Sequence, residues 1–294
     1  MTTLRGDDKV RAYDASRWLL LATLWSLQYI FMRLSVPTFG AGIVADGRAI
    51  FSALFLVPWM LFVLRQEIGM RTHWRDYLWV ALVNNVFPFV CFAYAATGIP
   101  ASYLAVVNGM VPLWSAVIAA PVLKERLGVH RILGFLLGIG GVALIVNLGP
   151  VELNAHTISA AIAAMVGAFF WGWAGVIIRQ RTGRVPAMGL ATGSIIFCAL
   201  ILAPAWVQAP PASTWTPAAA GGVIALGLLC SGLAYLPFFT LVRDIGPTRT
   251  LTVGLAIPVL GIFWGWLLLG ETITLPMLMG AGLVLAALAL VMRH

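Results

Sequence analysis

The chain has 294 residues, 61% hydrophobic and only 10% charged, with a mean hydropathy of +0.97. A water-soluble globule of this length needs a far more polar surface, so the composition is that of an integral membrane protein. The net charge of +8 does not indicate nucleic acid, because Lys and Arg are scattered over separate short gaps and form no continuous stripe; anionic lipid heads account for them.

Ten apolar runs of membrane-spanning length follow in chain order. The first, 16–34, lacks a small-residue cleavage signal after it and reads as a retained span, not a removed signal peptide. Spans 41–64, 75–96, 101–123 and 129–147 complete a first group of five. Spans 157–178, 187–207, 217–241, 248–269 and 275–292 form a second. With the amino terminus inside, sixteen of the 18 Lys and Arg residues fall in cytoplasmic segments, leaving only Arg33 and Arg48 at the outer ends of the first two spans. Both termini are therefore expected in the cytoplasm.

An offset of 146 positions superimposes the two groups: Trp25 on Trp171, Arg33 on Arg179, Pro58 on Pro204, Phe92 on Phe238, Pro112 on Pro258, Glu125 on Glu271 and Gly134 on Gly280. Seven of the twelve positions between Gly47 and Pro58 agree. Self-similarity at one ungapped offset is the mark of a duplication. Five spans per unit oblige the second to enter the membrane from the opposite side, so residues 1–148 and 149–294 read as inverted repeats. Such a body opens to either face around a midplane site, as alternating-access transporters do, although duplicated bundles also occur in channels and membrane enzymes.

The stretch from Pro112 through KERLG (124–128) to GFLLGIGGVALIV (134–146), echoed by Pro258, GETIT (270–274) and GAGLVLAALALV (280–291), resembles the EamA half-repeat of the drug/metabolite transporter superfamily. Within it, the chain is most similar to YddG-type amino-acid exporters. The resemblance implies an all-α basket of ten transmembrane helices with a central cavity, cytoplasmic termini, an inner-membrane location and export of aromatic or other neutral amino acids. It carries over no catalytic residues.

Polar residues near mid-span are the first candidates for a substrate path. They give a predicted contact set of Trp25, Gln28, Asn84, Asn85, Asn108, Trp171, Ser231 and Tyr235. Pro88 lacks the N–H that would bond the Asn84 carbonyl, and Pro112 likewise frees that of Asn108. Each amide could line a cavity or simply satisfy its own kink. With Pro237 and Pro258, these prolines are the expected helix-break or hinge positions. Trp25 and Trp171 could stack on a ligand or fill core volume.

No Asp, Glu, Lys or His is expected near a span centre. Asp46 and Arg48, placed at the outer end of the second span, read as interfacial snorkelling. Glu125 and Glu271 read as amino-terminal caps of the spans that follow them. GxxxG spacings at Gly134/Gly138 and Gly261/Gly265 read as close helix contacts within the bundle. Cys91, Cys198 and Cys230 lack metal or disulfide spacing and read as small apolar fillers.

No HExxH, GxSxG or phosphate-loop pattern points to an enzyme, and no cofactor, metal, nucleic acid or obligatory protein partner is expected. The expected partners are a small-molecule substrate, an amino acid or similar metabolite, and the lipid bilayer. One rival is a nucleotide-sugar, sugar-phosphate or drug carrier of the same superfamily; a phosphate carrier should place Lys or Arg in the cavity, which the sequence does not. The other is a channel-like or structural membrane protein.

Overall fold

A computed structural model describes residues 6–123, 128–148, 152–181, 183–246, 249–250 and 252–292, and these are helices joined by short connections. α1 (Gly6–Pro58) contains the first predicted span and most of the second, which continues through a π-helical stretch, Trp59–Val63. The expected gap at 35–40 is helical except at Gly40, whose φ of 74° and ψ of 166° turn the chain. Only glycine takes that conformation cheaply. α2 (Met70–Val80) runs through a π-helical stretch, Ala81–Val86, into α3 (Phe87–Gly98). α4 (Ala101–Asn108), α5 (Met110–Leu123) and α6 (Val129–Leu148) follow.

The second half begins with α7 (Ala155–Arg181) and α8 (Ala187–Leu202), which tightens into a 3₁₀ turn, Ala203–Gln208. α9 (Pro217–Ala225) is capped by the Thr216 hydroxyl, which accepts from the Ala219 N–H at 3.1 Å. A π-helical stretch, Leu226–Leu233, leads into α10 (Tyr235–Ile245), followed by α11 (Val253–Leu269) and α12 (Leu275–Met292). Among the described residues, seven helical stretches are long and apolar enough to cross a membrane, and α11 and the 275–291 stretch are shorter apolar helices.

Most of the helices are apolar on all sides, which is the pattern of lipid-immersed elements, while α2 carries Arg71, Arg75 and Asp76. Leu54, Phe62, Val129, Leu136, Leu200 and Leu275 all face outward. Lipid tails are as apolar as leucine, so close packing of small residues holds such helices together. Gly134 lies against Ala287 and Val291 of α12, and Gly261 against Ala105 of α4. The GxxxG glycines thus serve contacts inside the bundle.

Three of the four predicted proline positions fall at helix irregularities. Pro88, the second residue of α3, and Pro237, the third of α10, each follow a π-helical stretch that interrupts the α-helical bonding, and Pro112 is the third residue of α5, just past the break at Gly109. Pro258 lies inside α11. The Asn108 kink is resolved by a break at Gly109, whose N–H bonds the Val106 carbonyl at 2.9 Å.

Glu271 departs from its expected role. Its carboxylate accepts from the backbone N–H groups of Ala101 (2.7 Å) and Ser102 (3.0 Å), so it caps α4 of the first half and not its own α12. Five residues, 270–274, join α11 to α12, and the start of α4 lies beside the end of α11, where Gly265 approaches both Ser102 and Glu271. Glu125, its repeat mate, lies outside the described residues.

The 146-residue offset acts on contacts as well as on sequence. Gly47 packs on Val223, and the offset carries this pair to Gly193 on Tyr77. Gly134 against Val291 likewise becomes Gly280 against Ile145. Trp25 meets Phe238 at 5.4 Å between ring centroids, and its image, Trp171 with Phe92, meets at 4.6 Å. In each case the exchange of halves returns a contact to an equivalent contact, as a two-fold relation requires and a simple translation does not.

Candidate functional site

The arm of α1 after Gly40 carries Asp46, Gly47 and Arg48 inward. At about 1.5 Å rise per residue, Arg48 lies about 12 Å along this arm from Gly40. Its relative exposure is 5% and that of Asp46 is 0%. The expected interfacial snorkelling is therefore wrong for both. The physical reason is that position 48 follows the Gly40 turn by eight residues, about two helical turns, and both side chains face the packed interior of the bundle, not its surface.

The Arg48 Nε donates to the Ser231 hydroxyl at 2.6 Å. The guanidinium carbon lies 3.9 Å from the Phe89 ring centre and 6.0 Å from that of Trp171, within cation–π range. Its Nη1 is buried without a hydrogen-bond partner. Tyr29, Cys198, Cys230 and Tyr235 lie within electrostatic reach of the charge. Asp46 accepts from the Trp206 indole N–H at 2.6 Å through Oδ2, while its Oδ1 is unpartnered. Among the described residues neither Arg48 nor Asp46 forms an ion pair.

A second polar contact mirrors the first. Asn85 donates to the Ser194 hydroxyl at 3.1 Å, and Asn84 donates to the Asn85 side-chain oxygen at 3.0 Å. The 146-residue offset carries Arg48 to Ser194 and Asn85 to Ser231. The Arg48–Ser231 and Ser194–Asn85 bonds are thus repeat images of one another, and only one of the two carries a charge.

The carbonyl of Asn84, deprived of its helical donor by Pro88, accepts from the Trp171 indole N–H at 2.9 Å. The kink is therefore satisfied by the other half of the chain, and the Asn84 amide is left to its neighbour Asn85. Gln28 donates to the Trp25 carbonyl at 2.8 Å, and its Oε1 is buried and unpartnered, as is the adjacent Tyr29 hydroxyl. Tyr235 stacks on Phe239 (5.7 Å), which touches Phe238 (5.2 Å), the partner of Trp25.

Of the predicted contact residues, Asn84, Asn85, Trp171, Ser231 and Tyr235 gather around Arg48, and Trp25 and Gln28 adjoin them through the aromatic chain and Tyr29. Asn108, at the end of α4, makes no side-chain hydrogen bond to this cluster among the described residues. Sequence reasoning missed Arg48, Ser194 and Phe89. The available signal was the count of eight residues from Gly40, together with a repeat mate, Ser194, well inside α8.

Chemically the cluster offers one fixed cation, hydroxyl and amide hydrogen-bonding groups and aromatic walls. No group of three or more His, Cys, Asp or Glu residues among the described residues is placed to hold a metal.

Comparison with known proteins adds to this. The model of the EamA-like transporter family matches residues 17–147 and again 158–293. The chain is 22% identical to the uncharacterized transporter YoaV of Bacillus subtilis, over 89% of this chain and 90% of that one. It is 24% identical to an uncharacterized transporter of Archaeoglobus fulgidus, over 94% and 99%. A probable amino-acid metabolite efflux pump of Salmonella typhimurium is 23% identical, over 92% and 91%. A crystal structure with 18% sequence identity superimposes with a TM-score of 0.65, covering 95% of this chain and 96% of that one, and shares the fold.

Proposed function

The chain belongs to the EamA-like transporter family, a family of membrane carriers and not of enzymes, and from that premise we propose that it exports amino acids, aromatic and other neutral ones, or closely related metabolites by alternating access. In this reading the helical stretch Tyr13–Val63 crosses twice around Gly40 and the two shorter apolar helices cross once each, giving ten crossings with the six remaining long stretches. Residues 1–148 and 149–294 are the inverted units, in the inner membrane with both termini in the cytoplasm.

The observation that carries the proposal is the pair of exchanged hydrogen bonds, Arg48 to Ser231 and Asn85 to Ser194, at the buried centre. Contacts that interchange under the repeat support a two-fold axis through this cluster, the region where an inverted-repeat carrier holds its substrate. A further exchanged pair lies toward the two faces. Ser35 packs against Gly222 at the side read as outer, and its image is the Arg181–Asp76 ion pair of 2.6 Å at the side read as cytoplasmic. These are candidate outer and inner closures. Aromatic rings beside hydrogen-bonding groups suit a solute that is apolar at one end and polar at the other.

Arg48 also revives the sugar-phosphate alternative, since a cation at the centre is the feature that reading requires. Flux of amino acids, polyamines and sugar phosphates into liposomes holding the purified protein separates the readings. Saturable, stereoselective amino-acid uptake is expected. Preference for phosphorylated solutes, or unsaturable flux, would overturn the proposal.

A further inference from the structure

We propose that Arg48 is the receptor for a carboxylate group of the transported solute, so that the carrier selects amino acids and other monocarboxylates by their acid end. This deepens the central-site reading above and rests on it.

A guanidinium stays protonated at any physiological pH, so Arg48 brings a permanent charge into the interior. Charges there are expensive and normally paired. The nearest acid in sequence, Asp46, does not pair with it. Residues two apart on a helix point to different sides, and the Asp46 carboxylate is held by Trp206.

The remaining contacts orient the group without neutralising it. Ser231 takes Nε, and Phe89 covers one face at 3.9 Å. The Nη edge remains, with Nη1 buried and unpartnered. That edge is the part of the fork that binds a carboxylate with two parallel hydrogen bonds.

The repeat supplies an internal control. At the equivalent place, Ser194 and Asn85 make the same inter-half tether with neutral groups. Tying the two halves together therefore needs no charge, and the guanidinium serves something the tether does not. One cation balances one negative charge, which fits a monocarboxylate; a phosphate dianion would leave a charge uncompensated in the interior. Trp171 and Phe92, stacked at 4.6 Å beside the cluster, provide an apolar surface for the rest of the solute.

The test is calorimetric titration of the purified, full-length protein with four probes: L-phenylalanine, L-phenylalaninamide, 3-phenylpropionate and phenethylamine. The two acids are expected to bind roughly ten- to a hundredfold more tightly than the amide and the amine, the span of a charge-assisted hydrogen bond. Arg48→Gln should abolish that discrimination, and Arg48→Lys should keep part of it. The wild-type comparison of acid with amide needs no variant and decides the matter even if Arg48→Gln fails to fold. Equal binding of acid and amide, retained discrimination in Arg48→Gln, or binding of none of the four overturns the proposal. Binding of 3-phenylpropionate without phenylalanine would uphold the carboxylate receptor while overturning the amino-acid reading.

Discussion

Trp171 and Trp25 are repeat mates with different duties, and replacing each with Phe separates them. The Trp171 indole N–H is the donor for the Asn84 carbonyl, at 2.9 Å, which Pro88 has left without a helical partner. Trp171→Phe keeps an aromatic ring against Phe92 but strands that carbonyl away from water. An unsatisfied buried acceptor costs about 1–3 kcal/mol, while hydrogen bonds within membrane bundles average about 0.6 and reach about 1.7 kcal/mol. A loss of about 1–2 kcal/mol is therefore expected. The Trp25 indole makes no hydrogen bond among the described residues and contacts Phe238 through its ring. Trp25→Phe makes the same cut in ring size but strands no carbonyl, so it should cost about 1 kcal/mol less than Trp171→Phe. Thermal unfolding in one detergent, followed by loss of the monodisperse species, reads the difference. Trp171→Phe should lower the midpoint by roughly 2–8 °C, and Trp25→Phe by less. Equal shifts in the two variants would refute the assignment of the indole as the donor that repairs the Pro88 kink.

Three further outcomes follow from other contacts. Glu271→Ala removes the acceptor of two N–H groups at the start of α4; a loss of about 1–2 kcal/mol is expected, checked by the same unfolding assay, with Glu271→Gln recovering part of it. Ser35→Cys with Gly222→Cys should form a disulfide on oxidation, because the two positions are in direct contact; flux should then stop and return on reduction, and undiminished flux in the cross-linked protein would show that this contact does not open. Impermeant thiol labelling should reach Ser213→Cys in intact cells and not Arg181→Cys, as the distribution of basic residues requires; labelling at 181 would invert the topology.

Much of this architecture is legible in sequence because it rests on composition and period. Apolar runs mark the helices, and the offset that aligns Trp25 with Trp171 and Pro112 with Pro258 also interchanges contacts in the fold. Sequence likewise identified the free carbonyl of Asn84, since Pro88 removes its donor by covalent structure alone. It did not identify the replacement donor, Trp171, 87 positions away. Glu271 was readable as a cap, yet the helix it caps begins 170 positions earlier. Both failures have one cause: the partner is set by how the halves pack, which local pattern does not encode.

Arg48 was misplaced for a different reason. A charged residue near the start of an apolar run resembles an interfacial anchor, and only the packing of the second half against it, through Ser231, shows that it faces the interior. The uncharged centre expected from the spans thus gives way to one with a fixed cation.

The central claim, a single site presented in turn to both faces, is tested most directly at Ser194. Ser194→Cys, in a background where Cys91, Cys198 and Cys230 are replaced, puts a small reactive group at the buried centre. In proteoliposomes, an impermeant thiol reagent is applied to one side and then, separately, to the other. The account predicts that position 194 reacts from each side, that bound amino acid slows both reactions, and that no leak accompanies them. Reaction from one side alone under every condition, or from both with an open leak, would contradict it.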